Sequence, residues 1–145
     1  MKRNKTYSAK PKDIIKKWYV VDATDVILGR LAVKVAAIIR GKDEVIFTPS
    51  MDTGDFVIII NAEKIKVTGK KLTDKSYFTH SGYPGGAKSI TLQDLLKKDP
   101  EQVIRHAVRG MIPRGRLGDQ LITKLKVYKG DKYREKAQKP ELITI

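Results

Sequence analysis

The sequence predicts an α/β protein, a three-layer domain, and three observations carry that prediction. Candidate strands alternate with candidate helices along the chain. One strand, FVIII at residues 56–60, is an unbroken apolar run, the pattern of a strand buried on both faces as in a parallel sheet between helices. Two segments carry apolar residues at helical spacing with cations on another side.

WYVVDATDVILGRLAVKVAAIIRGK reads as strand, turn and helix. Trp18 to Val21 is aromatic and β-branched, as strands prefer. Asp22, Thr24 and Asp25 supply turn and capping oxygens. Leu28, Leu31, Ala32, Val35, Ala36 and Ile39 form the apolar stripe of the helix, and Gly41 stops it. KIKVTGKK alternates and then turns at Gly69; KSYFTH is a weaker strand. Thr91 caps LQDLLKK, and Asp99 with Pro100 opens a second long helix in the N-cap and N1 positions. Val103, Ile104, Ala107, Val108 and Met111 are its apolar residues, and it should end near Gly110. A short apolar-spaced piece around Leu117, Leu121 and Ile122 leads into LKVYK and a polar tail. The expected organisation is a basic arm over 1–17, one α/β domain over 18–128 and a tail over 129–145.

A chain of 145 residues suits one domain with a real core. Its formal net charge is +14, a degree of self-repulsion that an anionic partner offsets. The charge is also unevenly spread. Residues 1–17 hold seven Lys/Arg against one acid, and residues 105–139 eleven against three, whereas 18–104 hold twelve against eleven. Solubility does not need one sign gathered at both ends, so the pattern points to a polyanion. Nucleic acid is the usual one, an anionic membrane surface the other. There is no cysteine, which excludes disulfides, thiolate metal sites and a cysteine nucleophile. The longest apolar runs, VAAII and FVIII, fit neither a membrane-spanning helix nor a signal-peptide core.

Four places could carry chemistry. GMIPRGRLG, residues 110–118, has the glycine spacing of a phosphate loop, but Arg116 and Leu117 replace its lysine and hydroxyl, and Pro113 removes an amide donor. A plain turn and a polyanion-binding surface remain, the latter with Arg105, Arg109, Arg114 and Arg116 as cations and Gly115 as a bend. Met111 and Ile112 are expected to fasten this loop to the core. Asp52 and Asp55 flank a Thr-Gly turn; paired carboxylates can work as acid and base, but turn chemistry explains them too. His80 and His106 lack partners at metal-ligand spacing, so no metal and no cofactor is expected; His106 shares a helix with Arg105 and Arg109, where an imidazole can contact phosphate or base. HSGYPGGAKS is either a surface turn or a nucleic-acid contact, with His80, Tyr83, Gly85, Gly86 and Lys88 as contacting residues.

Three further pairs are candidate contacts. Arg30 and Lys34 lie off the first helix's apolar stripe; on their own they read as a solvated face. Lys70 and Lys71 close KIKVTGKK, and Lys124 and Lys126 belong to KLKVYK. RNA is favoured over DNA, because no helix-turn-helix, zinc-finger or basic-zipper pattern is present. Neither is there a signature of the sequence-reading RNA modules, so basic arms and glycine loops against folded backbone are the expected mode.

Five stretches occur together and in order: WYVVDATDVILGRLA, TPSMDTGDFVIIINAEKIKVTGKK, YFTHSGYPGGAKS, HAVRGMIPRGRLG and KLKVYKG. From about Trp18 to Gly130 the chain thereby resembles the L13 family of bacterial-type large-subunit ribosomal proteins. The resemblance implies a three-layer α/β/α domain around a small, mostly parallel sheet, and a cytoplasmic, ribosomal location. It also implies a structural, non-enzymatic component that binds large-subunit (23S-type) ribosomal RNA, sits beside other large-subunit proteins and enters early in assembly. Two positions depart from the family's usual pattern: Ser50, where histidine is common, and Asp119, where a basic residue is common. A free-standing RNA-binding repressor and an RNA-processing enzyme using Asp52, Asp55 and a histidine are the alternatives.

Overall fold

The structure, a computed structural model, describes residues 7–144. Strand β1 (Trp18–Asp22) is followed by helix α1 (Leu28–Arg40) and strand β2 (Phe56–Ile60). The chain continues through a short helix α2 (Lys71–Asp74), strands β3 (Ser76–His80) and β4 (Ala87–Thr91), and helices α3 (Leu92–Lys98), α4 (Pro100–Met111) and α5 (Arg116–Ile122). Strands β5 (Leu125–Val127) and β6 (Glu141–Ile143) complete it.

The central sheet has the order β5-β2-β1-β6, and every neighbouring pair is parallel. Trp18 stands opposite Phe56 and Asp22 opposite Ile60, so β1 and β2 pair over their full lengths. Helices flank this sheet in the three-layer α/β/α arrangement. The apolar run of β2 has the predicted cause: Val57 and Ile59 face the core beneath the helices, while Ile58 is buried on the other side beside Val20. On that second face the rings of Trp18 and Phe56 stack at 4.2 Å, 6° from parallel.

All six stripe residues of α1 are buried, and α1 packs along α4, which buries Val103, Ile104 and Val108. Each large side chain of this kind adds about 1.5–3 kcal/mol when fully buried. The predicted punctuation is present. Gly41 takes a left-handed φ of 76°, its N–H bonds the Ile38 carbonyl, and the N–H of Lys42 bonds that of Ala37. Thr91 Oγ1 accepts from the Asp94 N–H, and Asp99 Oδ1 from the Gln102 N–H.

Expectation and structure part at KIKVTGKK, at the partner of KSYFTH and at the tail. KIKVTGKK forms no strand; it follows a helical turn at Ala62–Lys64 and holds a single parallel bridge between Ile27 and Lys66. KSYFTH does form a strand, and its antiparallel partner β4, rich in small and polar residues, carries no pattern that marks it. The tail expected over 129–145 is tied to the fold, because Tyr19, Val20 and Val21 pair with Glu141, Leu142 and Ile143. Of the basic arm, residues 1–6 lie outside the described residues. The remainder is anchored: Ala9 is buried and its N–H donates to Thr48 Oγ1.

Candidate nucleic-acid interface

Helix α4 organises the site. With Val103, Ile104 and Val108 turned into the core, Gln102, Arg105, His106, Arg109 and Gly110 form the opposite, exposed face. Three clefts meet along it, and His106 lines all of them. The first, of about 410 Å³, runs between the start of α1 and α4, past Gly29, Lys71, Lys75, Gly110 and Met111. The second, of about 500 Å³, is walled by Arg109, Pro113, Arg114, Gly115 and Asp119. The third, of about 210 Å³, lies between Arg105, Arg109 and Ile122. The hairpin reaches this surface from the side, where the ring of Tyr77 lies 5.5 Å from that of His106. Lys75 Nζ sits 5.2 Å from the Tyr77 ring centre.

The loop after α4 is built around two glycines, one for its backbone angle and one for a close approach. Gly115 has φ 113°, where any other L-residue is strained. A Cβ on the buried Gly118 would collide with the Pro113 carbonyl oxygen, so this glycine closes the turn and does not admit a ligand. The anchoring expected of Met111 and Ile112 falls to one of them. Ile112 is 6% exposed and belongs to the core, whereas Met111 is 44% exposed in the first cleft; α4 continues through Met111 and its phase turns that side chain outward.

Arg116 occupies the first position of α5, where a cation opposes the helix dipole. Asp119 stands in the same turn and reaches Arg109, Oδ1 to Nη2 at 3.4 Å. Both partners are largely exposed, so the pair is worth a fraction of a kcal/mol, roughly, and leaves Arg109 free to exchange partners.

The candidate contacts therefore divide. Lys71, Arg105, Arg109, Arg114 and Gly115 line the clefts around His106. Arg116 and Lys70 are exposed nearby in sequence, and Arg30 is exposed on the outer side of α1 beside Gly29. His80, Tyr83, Gly85, Gly86 and Lys88 belong to the β3–β4 hairpin. Lys34 does not join the clefts of α4; it borders a separate hollow with Asp43, Glu44 and Asp55. Lys126 is half-buried in β5. His106 and Lys75 are central; nothing in the sequence singles out Lys75 as a contact, and His106 is marked there as an imidazole able to meet phosphate or base without a place among the expected contacts. The signal for His106 is its place between Arg105 and Arg109 on one helical face.

Lys124 is not the exposed contact its sequence suggests. Its side chain is 3% exposed, its ammonium pairs with Asp52 and donates to the Gly54 carbonyl at 2.7 Å, and it is not part of any exposed surface. A lysine just before a strand reads as solvated; burial follows from a carboxylate 72 residues away in sequence. Asp52 also holds Lys16, Oδ2 to Nζ at 2.8 Å. Burial works to raise the Asp52 pKa, but hydrogen bonds and charges from Lys124 and Lys16 outweigh it and hold the carboxyl below its usual range. Burial pulls the Lys124 pKa down, and the Asp52 carboxylate limits that fall. Asp55 is buried, which pushes its pKa up, while its Oδ1 accepts the Lys17 N–H at 2.7 Å. Between them, Gly54 packs so tightly on the end of α1 that a Cβ would collide with the Ile39 carbonyl oxygen. The Asp-Thr-Gly-Asp turn is thus a structural clasp joining the arm, α1 and β5. Among the described residues no group of three or more acidic, histidine or cysteine side chains is placed to hold a metal ion.

The α/β/α domain gathers exposed cations on one helix and the loops beside it. The comparisons supply its family. The family model described as Ribosomal protein L13 matches residues 16–134. The chain is 57% identical over 142 residues to the large ribosomal subunit protein uL13 of Symbiobacterium thermophilum, covering 98% of this chain and 99% of that one. It is 56% identical to the protein of the same name from Cyanothece sp., over 98% of this chain and 95% of the relative. For that of Streptomyces coelicolor the identity is 52%, over 97% of this chain and 96% of the relative. The chain belongs to the ribosomal protein L13 family, and is a ribosomal protein, not an enzyme.

Proposed function

We propose that this protein, a structural constituent of the large ribosomal subunit, binds that subunit's large ribosomal RNA through the exposed face of α4 and the loops beside it, and enters the particle early in assembly. One observation carries the reading. Around His106, Arg105, Arg109 and Arg114 converge with Lys71 and Lys75 on three adjoining clefts, and the acid among those lining residues is Asp119. Guanidinium forks bond phosphate oxygens bidentately, and such contacts position a protein on folded RNA without reading sequence. Gly110 and Gly115 leave room for the sugar-phosphate backbone beside them. Pro113 limits the loop's freedom before binding, so less entropy is lost on docking.

The relatives bear the name of large ribosomal subunit proteins, and other large-subunit proteins are the expected neighbours here. No described helix is long and apolar enough to cross a membrane. The enzymatic alternative loses both its carboxylates to the clasp, since Asp52 and Asp55 are engaged within the fold. Sucrose-gradient sedimentation tests the reading: the protein should travel with the large subunit at near one copy per particle. A protein found only at the top of the gradient, or in substoichiometric amounts, would favour the free-standing repressor.

A further inference from the structure

We propose that the outer face of the β3–β4 hairpin is a stacking platform for unpaired nucleobases, so that the RNA seated here presents an unstacked loop or single strand and not continuous duplex. The inference rests on the RNA-binding reading above and names what one part of that surface takes. Alternation divides the hairpin. Tyr77 and Ile90, directly opposite each other, turn inward and pack against the core. Phe78 and His80 turn outward, and across from them stand only Ser89 and Ala87, too small to cover a ring. The two rings lie 6.3 Å apart, 29° from parallel, and Phe78 is 68% exposed.

His80 is held in place, because its Nδ1 accepts the Gly82 N–H at 2.8 Å and its remaining ring proton is thereby assigned to Nε2. At the tip, Tyr83 is 75% exposed, between glycines at φ 90° and 73° that let a backbone come close. A phenylalanine kept this exposed contributes little to folding. Around it, residues 70–91 hold four lysines against one aspartate. Aromatic faces among cations suit bases attached to phosphates, since every base has a face to stack and the chain between bases is anionic. An apolar protein partner would fit the rings but not the surrounding charge.

The test uses the full chain with two RNAs of equal phosphate number: an unstructured oligouridylate carrying one 2-aminopurine, and a blunt duplex. Wild type should quench the aminopurine, as stacking on an aromatic ring does. Phe78→Leu with Tyr83→Leu should weaken binding of the unpaired RNA about tenfold or more and of the duplex less than about twofold. Phe78→Trp, which keeps a ring, should retain quench and affinity. No quench in wild type, or equal loss for both RNAs, or no loss for either, overturns the platform. If the double variant fails to fold, the wild-type quench and the tryptophan variant decide. Salt-sensitive duplex binding with neither quench nor preference sinks the platform alone, whereas wild type that binds neither RNA sinks the RNA-binding reading itself.

Discussion

Asp52→Asn strikes the clasp at its centre. The substitution keeps shape and removes the counter-charge of an ammonium that is 3% exposed. Removing one partner of a fully buried pair costs about 3–5 kcal/mol. Asp52 itself keeps 21% of its side chain exposed, and Lys124 retains the Gly54 carbonyl, so about 2–4 kcal/mol is expected here. In a chain of this size that lowers the thermal midpoint by about 5–12 °C. The sign with pH follows from the direction of the shift. A carboxyl whose folded pKa is depressed contributes stability above its unfolded pKa, about 3.9, and loses it as pH falls through the folded value. The gap between wild type and Asp52→Asn should therefore be full at neutral pH and close in acid.

The assay is a double-mutant cycle by thermal and urea melts, with Lys124→Met as the second substitution. Methionine fills similar space without charge, so the double variant should recover most of what Asp52→Asn loses. If Asp52→Asn melts like wild type, or the two single losses simply add, the clasp is not an energetic unit.

Ile112→Ala should cost about 2–4 kcal/mol in a urea melt, because its side chain fills the core, and Met111→Ala less than about 1; the reverse order would refute the anchor. Gly54→Ala should be poorly folded, read by circular dichroism and melt, since its Cβ has no space beside Ile39; a wild-type melt would show that the two segments separate easily. Removing residues 1–17 should lower the melting point, because Asp52 and Asp55 then lose the partners that Lys16 and Lys17 supply; an unchanged midpoint would show that the arm contributes nothing to the fold.

Strong local patterns were the legible part of the fold. The stripe of α1, the run of β2, and the caps at Thr91, Asp99 and Gly41 each follow from chemistry within a few residues of themselves. Strands β4 and β6 escape such reading because they form only where a distant partner offers hydrogen bonds: Ala87–Thr91 against β3, and Glu141–Ile143 against β1. Site residues divide the same way. Arg105 and Arg109 are visible as one helical face. Met111 against Ile112 turns on one residue of helical phase, and Lys124 looks solvated until its carboxylate is placed beside it. Phe78 passed for a strand residue because alternation alone cannot say which face of a hairpin is covered.

The proposed grip of the α4 face on RNA is a grip on phosphates. Its most direct measurement is the affinity for large-subunit ribosomal RNA across a salt series, for wild type and for Arg109→Ala with Arg114→Ala, two exposed walls of one cleft. Charge-assisted hydrogen bonds of this type are worth about 1.5–3 kcal/mol each before exposure discounts them, so the pair should cost about 2–4 kcal/mol of affinity. The slope of log affinity against log salt should become shallower by about two, one for each phosphate that is no longer neutralised, with the thermal midpoint unchanged. Unchanged affinity and slope, or an unfolded variant that still binds like wild type, would contradict a grip on phosphates.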